Sequence, residues 1–146
     1  SRPGFACEHN LTYWHLAPYI GLGLGAISFF TRDCGPWGAH WENPVTFHDY
    51  EVVSRSGKWP FRGRSPLSCD AAFMEVLLTG LRLEEGVETD WLHARFGEKI
   101  VGKMLQTVTP LLEEGWLEQK DGRLKATRKG SRILDALILE LVSELK

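Results

Sequence analysis

The 146-residue sequence has little sulfur, almost no charge imbalance and no long apolar run. Each shortage closes off a class of protein. Its three cysteines, Cys7, Cys34 and Cys69, are an odd number at wide spacing. That argues against a disulfide scaffold and suits a reducing compartment, so a cytoplasmic location is expected. The formal net charge of -2 gives no general attraction to nucleic acid or to an acidic membrane. No apolar run approaches the ~18 residues of a membrane span. The longest, around Tyr19 to Phe30, is interrupted by glycine and serine. No secretory leader opens the chain, which begins at serine rather than methionine. A G-x-S-x-G nucleophile elbow is missing, since Ser28 follows Ile27. Gly21, Gly23 and Gly25 lack the third-glycine spacing and the following helix of a dinucleotide fingerprint. His15, His40, His48 and His93 have no metal-ligand spacing.

Hydrophobic residues at 43% and charged residues at 25% are those of a globular chain, long enough for one domain or two small ones. One stretch stands apart from ordinary core, cap and turn: Phe5 to Phe30, FACEHNLTYWHLAPYIGLGLGAISFF. It holds the pattern H-N-x-x-Y-W at His9, Asn10, Tyr13 and Trp14, then Gly21, Gly23 and Gly25 at alternate positions. As a strand, the second part places all three glycines on one face and Ile20, Leu22 and Leu24 on the other. Such a bare face marks the close approach of a ligand or another backbone. A flexible glycine loop is the other reading.

Along the chain, Asn10 to Trp14 is a candidate short strand. Thr31 to Pro44 is dense in Gly, Pro, Asp and Asn and reads as loop. Thr46 caps a short helix, Phe47 to Ser56, stopped by Gly57. Lys58 to Pro66, with two prolines and three basic residues, is the expected domain junction. Ser68 opens a helix whose stripe is Phe73, Val76, Leu77, Gly80 and Leu81, with Gly80 admitting another helix. Thr89 or Asp90 caps a short helix to Phe96. Lys99 to Glu114 follows, carrying Val101, Met104, Leu105, Val108 and Leu112, with a kink or break at Pro110. Asp121-Gly122 predicts a two-residue hairpin pairing Leu117 with Ala126 and Glu118 with Lys125. Thr127 caps a last helix, Arg128 to Leu145, with Leu134, Leu137, Ile138, Leu141 and Leu145 inward.

The fold class expected is α+β, mostly helical: a barrel edge strand, then a helical, winged-helix-like domain. That domain raises a nucleic-acid- or protein-binding alternative. Lys120, Arg123, Lys125, Arg128, Lys129 and Arg132 gather in and after the hairpin. Yet the helix that would enter the major groove, Met104 to Glu114, has no Lys or Arg. Base readout and phosphate contact both want such donors there, which argues against nucleic acid.

The motif H-N-x-x-Y-W followed by G-L-G-x-G-A resembles the closing barrel segment of radical S-adenosylmethionine proteins related to oxygen-independent coproporphyrinogen III oxidase. It is closest to their haem-chaperone branch. The likeness continues through Trp41-Glu42-Asn43, Tyr50, Met74 to Val87, Leu112 to Leu117 and Leu124 to Gly130. Ala26-Ile27-Ser28 is nearer the oxidase branch, since the chaperones carry histidine at the position of Ile27. The resemblance implies a porphyrin or haem partner, with His9 as an iron ligand, Asn10 orienting it, and Tyr13 and Trp14 covering a ring face. It implies that Gly21, Gly23 and Ala26 lie near the adenosyl cofactor. The family's cluster motif, C-x-x-x-C-x-x-C, has no counterpart here. A 4Fe-4S cluster and S-adenosylmethionine are therefore expected only in a parent protein, with this chain a cut piece and inactive alone. The expected division is residues 1–65, the last barrel strand and its extension, and 66–146, the winged-helix-like domain. An unpaired strand over Tyr19 to Ser28 would also be a template for self-association.

Overall fold

The computed structural model describes residue 12 and residues 15–32, 34–59 and 61–143. The chain divides into two units, residues 1–68 and 69–146.

In the first unit, three short strands form an antiparallel sheet in the order β1-β2-β3. They are β1 (Ile27–Phe30), β2 (Ala39–Glu42) and β3 (Gly63–Pro66). Ser28 lies opposite Trp41 across the first pair, and Trp41 opposite Arg64 across the second. Two of these strands correct the sequence reading. β2 runs through the expected loop, and β3 through the expected junction. Both are short ladders held by backbone pairing, which a Gly- and Pro-rich composition hides. Pro66 is tolerated because β3 is the sheet's edge. Helix α1 (Phe47–Arg55) begins where expected, with Asp49 N–H donating to the Thr46 hydroxyl at 3.2 Å. The expected strand over Asn10 to Trp14 lies outside the described residues except for Thr12, which is helical.

The second unit runs α2 (Cys69–Gly80), β4 (Val87–Glu88), α3 (Thr89–Phe96), α4 (Glu98–Glu113), β5 (Leu117–Lys120), β6 (Arg123–Ala126) and α5 (Leu134–Ser143). Its sheet order is β4-β6-β5. The hairpin keeps the expected register, Leu117 with Ala126 and Glu118 with Lys125. Both turn residues have positive φ, 51° at Asp121 and 73° at Gly122, which is the geometry that Asp-Gly favours. The α2 stripe is buried as the periodicity required. Phe73, Leu77, Leu92, Val101, Met104, Leu117, Leu124, Ile138 and Leu141 fill the core. Each contributes on the order of 1.5–3 kcal/mol by leaving water.

Four details differ from expectation. Gly80 is approached by a strand, not a helix: a Cβ there would collide with Val87 of β4. Thr89 does not cap α3; its hydroxyl donates to the Gly122 carbonyl at 2.7 Å and ties α3 to the hairpin. Helix α4 runs through Pro110 unbroken, burying Leu111 where Leu112 was expected. Thr127 accepts from Gly130 N–H at 3.1 Å and so caps a 3-10 turn, Gly130–Arg132, before α5 starts at Leu134. Gly130 packs against the Trp116 carbonyl so closely that a side chain there would collide, which holds this turn in place. Leu145 lies outside the described residues. Among the described residues, five α-helices and two small antiparallel sheets make a mixed α/β architecture. No helix among them is long and apolar enough to cross a membrane.

Candidate functional site

The glycine stretch is a loop folded back on itself, and this corrects the strand reading. Tyr19 and Phe29 exchange both backbone hydrogen bonds at 3.0 Å, closing the loop at its base. Only Ile27 to Phe30 is strand. Gly23 and Gly25 have φ of 102° and 62°, which breaks any period-two alternation. The backbone approaching Gly21 is the chain's own, because a Cβ at Gly21 would strike the Ile27 carbonyl.

Three side chains, with the backbone of Asn43 and Pro44, hold it. Gly21 N–H donates to Ser28 Oγ at 3.0 Å, and Gly23 N–H to the Tyr50 hydroxyl at 3.2 Å. Asn43 Nδ2 donates to the carbonyls of both Gly21 and Gly23, at 3.0 and 2.9 Å. Asn43 N–H donates to the Ala26 carbonyl, and Gly25 N–H to the Pro44 carbonyl, each at 2.9 Å. Asn43 is 1% exposed, and its Oδ1 is buried without a hydrogen-bond partner. Two carbonyls facing the amide fix which of its ends is nitrogen. The polar groups of Gly21 and Gly23 are thus used within the chain, while Ile20, Leu22 and Leu24 point outward and exposed.

Of the site residues expected from sequence, Gly21, Gly23 and Ala26 come together around Asn43. His9, Asn10, Tyr13 and Trp14 lie outside the described residues. Sequence reasoning gave Asn43 and Tyr50 no role. Nothing local reveals that a side chain reaches a backbone more than twenty positions away. His15 and His48 are exposed, and His93 Nδ1 lies 2.9 Å from the Glu98 carboxylate without hydrogen-bond alignment. Cys34 is buried. Burial pushes the Cys69 thiol up from its ordinary pKa, and Asp70 adds to that shift. Among the described residues, no three His, Cys, Asp or Glu converge as metal ligands. They do not fit an iron–sulfur cluster, and no chemistry through one is assigned to them.

In the second unit the basic hairpin is largely occupied by its own chain. Arg123 meets Glu88 at 3.1 Å, and Lys125 meets Glu118 at 3.3 Å. Lys129 stands 3.6 Å over the Trp116 ring and donates to the Glu114 carbonyl.

The family model for the HemN C-terminal domain matches residues 67–133. The chain is 33% identical over 122 residues to a Heme chaperone HemW of Synechocystis sp., covering 80% of this chain and 27% of that protein. It is 23% identical over 149 residues to the Heme chaperone HemW of Bacillus subtilis, covering 99% of this chain and 37% of the relative. It therefore spans about a third of the length of these relatives. Its fold is similar to that of coproporphyrinogen III oxidase (HemN) from Escherichia coli, a radical SAM enzyme. The TM-score is 0.60 at 15% identity, over 87% of this chain and 29% of that one. Residues 67–133 belong to the HemN C-terminal domain family, and the chain as a whole is similar to part of the Heme chaperone HemW proteins.

Proposed function

We propose that this chain is the C-terminal part of a radical S-adenosylmethionine protein of haem metabolism, contributing one wall of a porphyrin or haem site and none of the iron–sulfur cluster. The observation that carries this reading is the glycine loop fixed by Ser28, Asn43 and Tyr50, which follows the H-N-x-x-Y-W stretch in sequence. A loop held at six backbone groups is a rigid ledge rather than a linker. His9 would ligate the iron, Asn10 would orient the imidazole, and Tyr13 and Trp14 would cover a ring face. Gly21, Gly23 and Ala26 would meet the adenosyl cofactor through shape, because their hydrogen-bonding groups are already engaged.

Residues 1–65 are assigned to the last strand and extension of the barrel, and 66–146 to a winged-helix-like domain. The order α2, β4, α3, α4, hairpin, with sheet order β4-β6-β5, supports the second assignment. The cluster and S-adenosylmethionine would belong to the parent protein, which we place in the cytoplasm.

Haem titration tests the site. The chain should give a shifted Soret band that His9→Ala alters and His15→Ala leaves in place. Equal spectra for all three proteins would overturn the ligand role. Reconstitution with iron and sulfide should yield no cluster absorbance, and stoichiometric cluster formation would sink the division of labour.

A further inference from the structure

We draw no further inference here: the strongest candidate, the open aromatic cavity on the first sheet between Phe30, Trp41, Trp59 and Phe61, carries nothing, because Arg32 and Arg64 in its wall are already engaged within the chain and nothing in the structure shows what covers its exposed rings.

Discussion

Asn43 is a single amide that satisfies two carbonyls of one loop. Asn43→Ala takes the amide donor from both part-buried carbonyls, leaving Gly23's with the Ala26 N–H at 3.4 Å, and should cost about 1–3 kcal/mol. Asn43→Asp should be worse at neutral pH, because it turns a donor into a charge facing two acceptors. That carboxylate would prefer to be protonated, so its folded pKa lies above the ordinary value of about 3.9. A raised folded pKa gives stability that is fully present below the unfolded pKa and lost as pH rises through the folded one. Denaturant melts should therefore show the Asp variant recovering toward the wild type below about pH 4, and the Ala variant not. An Asp variant equally stable at pH 4 and 7 would refute the assigned donors. None of this is legible at the residue scale in sequence. The partners are main-chain atoms, which every residue type carries, and the spacing between them has no local signature.

Elements divide into those whose chemistry is local and those whose pairing is not. The hairpin was readable to the residue because Asp121-Gly122 sets its own register. The α2 stripe was readable because one helical face repeats within twelve residues. The glycine stretch misled because alternation of Gly with Ile and Leu imitates a strand, while positive φ at Gly23 and Gly25 makes a turn. Strands β2 and β3 were hidden in a composition that normally spells loop. Gly80 was half readable: its need for space was clear, its neighbour was not. Gly80→Ala should gain about 1 kcal/mol from helix propensity yet lose more through collision with Val87. The net effect expected in melts is destabilisation, relieved in the Gly80→Ala, Val87→Ala double variant. A stabilised single variant would show that β4 does not approach as described.

For the whole molecule, the outward side of the glycine loop matters most. Ile20, Leu22, Leu24 and Ile27 are all exposed, Leu22 at 79%. A net charge of -2 offers little repulsion between copies. The unpaired Tyr19 to Ser28 strand expected from sequence is not what is exposed, since Ser28 is inside β1 and paired to β2. The apolar patch remains, and covering each large side chain is worth roughly 1.5–3 kcal/mol. Exposed clusters of this kind usually meet a partner surface. At micromolar concentration the chain should sediment as a species larger than its 16.5 kDa monomer, and Leu22→Lys should return it to that mass. A monomeric wild type, or an assembly unaffected by the substitution, would remove the patch as the cause.

The loop has an entropic side as well. Glycine loses more conformational freedom on ordering than any other residue. Fixing Gly21 to Ala26 costs about 1–2 kcal/mol per residue, while each hydrogen bond returns about 0.5–1.5 kcal/mol. The bonds from Ser28, Asn43 and Tyr50 offset only part of this cost, so losing any one of them tips the loop further from order. The ledge is therefore ordered as a unit or not at all.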